Sequence, residues 1–124
     1  MGVMLESHDE ILEIQRRLKN TIRRIHQLAP MVGMAKQVRE YDSDRRKNLL
    51  ARYVTAALKA GEGVSAAEAA GRADPSYQAE LEGLAAQRAA AERTIAEWEA
   101  SFATYEAARS LHSMAKTTLS TLPE

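Results

Sequence analysis

Five cations crowd one short stretch of the chain: Arg16, Arg17, Lys19, Arg23 and Arg24, with no acid between Glu13 and Glu40. Guanidinium and ammonium groups in such a block are suited to neutralising phosphates, with release of condensed counterions. Arg16/Arg23 and Arg17/Arg24 are each seven apart. They would therefore stack along one side of a helix, away from Ile14, Leu18 and Ile25. Arg109 and Lys116, from the second half, are expected alongside. These seven residues are the candidate contacts to DNA. No base-reading element accompanies them, so single- and double-stranded DNA are both expected substrates, without strong sequence preference. The competing reading is a solvated face, or one whose acids come from a second subunit.

Other reactive constellations are missing from the sequence. His8, His26 and His112 have neither zincin nor carboxylate–histidine spacing, and no Glu-x-x-His pair occurs. Gly61-Glu62-Gly63 is too short for a phosphate loop and lacks a following lysine. The serines have no His/Asp arrangement that spacing supports, and there is no cysteine. The expectation is a protein that is not an enzyme, with no metal and no cofactor. Trp98, Phe102 and Tyr105 could stack nucleobases. Their spacing along an apolar seam makes core packing the preferred reading.

Long helices must position these groups. Apolar residues are 45% of the chain but alanine-rich, aromatics only 5%, and charge reaches 27%, a composition that favours helix over sheet. Ser7-His8-Asp9-Glu10 fits a capping box. Ile11, Ile14, Leu18, Ile22, Ile25 and Leu28 then recur at helical steps. Pro30 predicts a break or kink. Met31, Met34, Val38 and Tyr41 resume the stripe, and Leu49, Leu50, Tyr53, Val54, Ala57 and Leu58 extend it beyond the polar run 42–48. Gly61 supplies a stop. Ser65-x-x-Glu68 predicts a capped short helix, and Asp74-Pro75 starts the last one. The expected helices are about 7–28, 31–60, a short 65–72 and a long 75–120, in a single domain. In the last, Tyr77, Leu81, Leu84, Arg88, Ala91, Ile95, Trp98, Phe102 and Tyr105 keep a heptad rhythm, with Arg88 the one charged member of the seam. Beyond Tyr105 it loosens through Ala108, Leu111, Ala115, Leu119 and Leu122.

Residues 1–60 carry 12 Lys/Arg and 7 Asp/Glu, a formal +5; residues 61–124 carry 5 and 10, a formal −5. Either the halves neutralise one another in the fold or one of them faces a charged partner. Two helical arms of ~80 and ~70 Å would match if antiparallel. Folding about 61–74 sets residue i near 135 − i, with Arg52 near Glu82, Arg39 near Glu97 and Lys36 near Glu99. The fold class expected is all-α: an elongated antiparallel hairpin or coiled coil assembling into a helical bundle. Its apolar stripe is wider than one neighbour covers, which predicts a dimer or tetramer. No apolar run approaches a membrane span and no secretory leader is evident, so a cytoplasmic protein without a membrane partner is expected.

The segment LLARYVTAALKAGEGVSAAEAAGRADPSYQAELEGL, followed by YEAARSLHSMAKTTL, resembles small Ala/Glu/Arg-rich helical proteins of phages and prophages. The likeness rests on Ala73-Asp74-Pro75-Ser76-Tyr77 and Arg109-Ser110-Leu111 and covers residues 48–118. It implies an accessory role beside recombination and replication functions. With the basic face, it leads to an expected non-enzymatic scaffold that self-associates and contacts DNA or a DNA-processing protein. The alternatives are a purely structural coiled-coil adaptor, or assembly or chaperone factor, and a helix-turn-helix regulator using 65–82.

Overall fold

Fifty-two consecutive residues form the first helix. The computed structural model describes residues 8–121, with side chains as far as Thr118. Helix α1 spans His8–Lys59, α2 Val64–Ala73 and α3 Pro75–Thr121, and no strand occurs among the described residues. The fold is all-α: α1 packs against α3 as an antiparallel hairpin, and α2 is the short connector. Ser7 and Leu122 lie outside the described residues, as does the side chain of Leu119.

Local chemistry sets the helix ends. Gly61 takes φ +98, and the amides of Gly61 and Glu62 donate to the carbonyls of Leu58 (3.0 Å) and Ala57 (3.3 Å), closing α1 with a Schellman motif. Asp74 caps α3 with its Oδ1 accepting from the Ser76 amide at 2.8 Å, directly before Pro75. Helix α2 differs from expectation. It begins at Val64 behind Gly63, with no side-chain cap, so Ser65 lies inside the helix rather than at its cap.

Pro30 does not interrupt α1. A proline removes its own N–H and leaves the carbonyl four residues earlier, on His26, without its helical partner. Both residues are exposed, so water can satisfy that carbonyl. Because the helix does not restart, its phase carries through: Leu28, Val32 and Ala35 are buried. Met31, Met34 and Tyr41, expected in the stripe, are exposed instead, Met34 to 72%. Before Pro30, Thr21 takes an inward place and bonds back to the Arg17 carbonyl at 2.7 Å, leaving Ile22 39% exposed.

The packing falls into two units. In the unit Gly33–Ile95, Ala35, Ala91 and Ile95 form a core with Val38 against it. Small side chains here let α1 and α3 approach closely. Toward the connector, Tyr53 meets Tyr77 edge-on at 5.6 Å. Ala67 and Gly71 of α2 are buried. A Cβ on Gly71 would stand 3.3 Å from both the Val54 side chain and its backbone nitrogen. In the unit formed by residues up to Val32 and from Ala96 onward, Ile11, Ile14, Leu28 and Val32 are buried with Ala108 and Ala115.

The register also departs from expectation. Arg52 pairs with Glu80 at 3.6 Å rather than Glu82, and Arg39 with Glu92 rather than Glu97, which Arg24 holds instead. Within the unit Gly33–Ile95, the packing of Tyr53 on Tyr77 and of Ala35 with Ala91 and Ile95 goes with the alignment of Arg52–Glu80 and Arg39–Glu92.

Candidate functional site

Burial of Ile11, Ile14 and Leu28 on α3 turns the intervening cations of α1 outward. Arg16 Nη2 donates to Glu13 Oε1 at 2.6 Å, and Arg17 Nε approaches the same oxygen at 3.5 Å. The Arg16 hydrogen bond, first among the causes, holds the Glu13 carboxyl below its usual range, and Glu13 in turn raises Arg16. Arg24 Nε donates to Glu97 of α3 at 2.8 Å, and its Nη1 to Gln27 at 3.3 Å. Arg16, Arg17 and Arg24 therefore have acidic partners within the fold, although the block itself holds no acid between Glu13 and Glu40. The reason is physical: an arginine fork reaches an acid one helical turn away or across the seam. Lys19 and Arg23 are exposed and form no ion pair among the described residues.

On α3, Arg109 sits 3.9 Å from Glu106, and Lys116 is exposed. His112 meets Gln15 of α1 at 3.3 Å, which fixes this end of the register. Together with Arg24–Glu97, it puts Arg109 near the level of Gln15 and Lys116 near that of His8.

The seam residues divide. Ile95 is 1% exposed; Leu81, Leu84, Trp98 and Tyr105 are half-buried. Phe102 is 38% exposed, because the packed row shifts after Trp98 to Ser101, Tyr105 and Ala108. Its ring lies edge-on to Trp98 at 4.7 Å.

Arg88 meets a partner that the sequence does not announce. Asp42 is buried on α1 and its Oδ2 accepts from Arg88 Nη1 and Arg46 Nε, both at 3.0 Å. Arg88 Nε donates to Glu92 at 3.1 Å, and Arg39 grips Glu92 with two bonds of 2.8 and 2.7 Å. Chiefly through the Arg39 bonds, the Glu92 carboxyl is pulled down to about 2. Five side chains thus form one ionic layer within the seam. A signal for Asp42 is nonetheless present: Leu28, Ala35, Asp42 and Leu49 are seven apart, a row that continues the packed face.

Residues 65–82 carry a single cation, Arg72, and their Ala67, Gly71 and Tyr77 are buried. No cluster of three or more His, Asp or Glu suited to a metal occurs among the described residues, and no helix there is long and apolar enough to cross a membrane. No protein-family model, no curated protein and no solved structure matches the chain.

Proposed function

We infer that this chain is a non-enzymatic helical scaffold that self-associates and contacts DNA, or a DNA-processing protein, through the outer side of α1. The observation that supports this reading is a local imbalance. Arg16, Arg17, Lys19 and Arg23 are exposed within about two turns, and Glu13 is the one acid among them. Exposed ion pairs contribute little, so Arg16 and Arg17 can exchange Glu13 for phosphate at small cost. Arg24, engaged by Glu97, is less available.

The test is binding of single-stranded and duplex DNA between about 50 and 200 mM salt. Arg16, Arg17 and Arg23 replaced together by Gln should weaken binding and flatten the salt slope by about 0.7–0.9 for each phosphate no longer neutralised. Gln keeps helix propensity nearly unchanged. Binding that survives in this variant and disappears with Arg72→Gln would instead favour the 65–82 segment.

A purely structural adaptor is the second reading. It draws on the cross-helix pairs Arg24–Glu97, Arg39–Glu92 and Arg52–Glu80, which engage first-half cations inside the fold. Absence of DNA binding by the parent chain at about 50 mM salt would decide for it.

A further inference from the structure

We propose that a second copy of this chain docks on the side of α1 and α3 that carries Ile22 and Phe102, around a twofold axis parallel to the helices. The proposal rests on the self-association named above and assigns it a face. Ile22 and Phe102 are the half-exposed apolar centre of that face. The contacts Gln15–His112 and Arg24–Glu97, averaged, place residue i near the level of 124 − i, and so Ile22 near Phe102. Ile22 lies seven residues beyond Gln15, and so on the same side of α1. Arg24 and Glu97 close the opposite side of the pair.

Charge complementarity selects the occupant. The rim of the face along α1 carries Lys19 and His26, seven apart; along α3 it carries Glu99 and Glu106, also seven apart, with Arg109 seven beyond Phe102. Neither Lys19 nor Glu99 forms an ion pair among the described residues, and Glu106 has only Arg109 at 3.9 Å. A twofold axis along the helices lays α1 of one copy over α3 of the other at the same level. Lys19 then faces Glu106 of the second copy, and His26 faces its Glu99, each within about one residue's rise of level. The same operation repeats both pairs and brings Ile22 over Phe102 of the second copy. Lys19 of each copy thereby meets Glu106 of the other, an opposite-charge contact that symmetry makes twice.

Light scattering at tens of micromolar should give twice the 13.7 kDa chain mass. Ile22→Ser with Phe102→Ser should leave helix content intact, since both side chains are exposed, and should yield monomer. Lys19→Glu alone and Glu106→Lys alone should each weaken the homodimer about tenfold at low salt, because both symmetric pairs become repulsive. Mixing these two variants should restore the dimer, as should combining both changes in one chain. A monomeric parent overturns the proposal, as does a dimer indifferent to the charge swaps and to the serine pair. The DNA assay is independent: a monomer that binds DNA through Arg16, Arg17 and Arg23 would remove this interface and leave the DNA contact standing.

Discussion

Asp42 occupies a place in the packed row where an apolar side chain would be expected, midway between buried Ala35 and buried Leu49. A carboxylate there is costly unless it is hydrogen-bonded and paired, and Arg46 and Arg88 supply both. Asp42→Ala should destabilise by about 1–2 kcal/mol, toward the low end because Arg88 reaches solvent. Asp42→Leu combined with Arg88→Leu should melt no lower than the parent, since well-packed apolar groups often replace a buried pair without loss. Thermal melts check both; a double variant less stable than Asp42→Ala contradicts the argument. Glu92 adds a pH dependence. Its carboxyl is lowered from the ordinary 4.5 to about 2, so the stability it contributes is complete above pH 4.5 and is lost as pH falls toward 2. Melting temperatures measured across that window should fall, and fall less in Glu92→Gln. Glu13, also lowered by its arginines, leaves a residual slope of the same sign. Arg88 was legible from the heptad rhythm. Asp42 was not, because 42–48 is polar on every side, and only the seven-residue row through Leu28 and Ala35 separates its one inward member from the rest.

Helix ends were readable where one residue's chemistry decides them, as at Gly61 and Asp74. Phase was not readable past Pro30. A proline that breaks a helix resets the stripe, whereas one tolerated on an exposed side preserves it, and the burial of Leu28, Val32 and Ala35 records the second case. Pro30→Ala restores a backbone donor in the middle of α1 and should stabilise by up to ~3 kcal/mol. A lower melting point in that variant would mean the proline is accommodated by something the helix needs. Two glycines make a matched comparison. Gly83 has open space around a Cβ, so Gly83→Ala should stabilise α3 by about 0.5–1 kcal/mol. Gly71 faces Val54 and its backbone at 3.3 Å, and a helix backbone cannot give way as a side-chain tip can. Gly71→Ala should therefore lose stability despite the same gain in propensity, by about 1–3 kcal/mol. Equal gains at both sites in denaturant melts would refute the close approach of α2 to α1.

At the scale of the whole chain, the formal +5 of residues 1–60 and −5 of residues 61–124 is met in part by pairs between the two halves. Arg24–Glu97, Arg39–Glu92 and Arg52–Glu80 each join a cation of the first half to an acid of the second, and Asp42–Arg88 runs the other way. The sense of this pairing was legible in composition. Its alignment was not, since long-range charge fixes only which helix meets which, while within the unit Gly33–Ile95 the level goes with Tyr53–Tyr77 and the alanine–isoleucine core. This separation of roles leads to a prediction about the two halves as separate peptides, 1–60 and 61–124. Each buries its apolar row only against the other, so each alone should be weakly helical, helix stability in proteins coming mainly from such packing. Mixed, they should recover the helix content of the intact chain. Opposite net charges should speed the encounter and strengthen it at low salt. Raising salt from about 50 to 500 mM shortens the screening length to roughly half a nanometre or less, and the apparent affinity should fall with it. Packing is insensitive to that screening, so association should weaken without vanishing. Circular dichroism of the separate and mixed peptides measures this directly. Affinity unchanged by salt would show that charge takes no part in bringing the halves together. No recovery of helix at any salt would show that the connection through α2, not the seam, makes the hairpin.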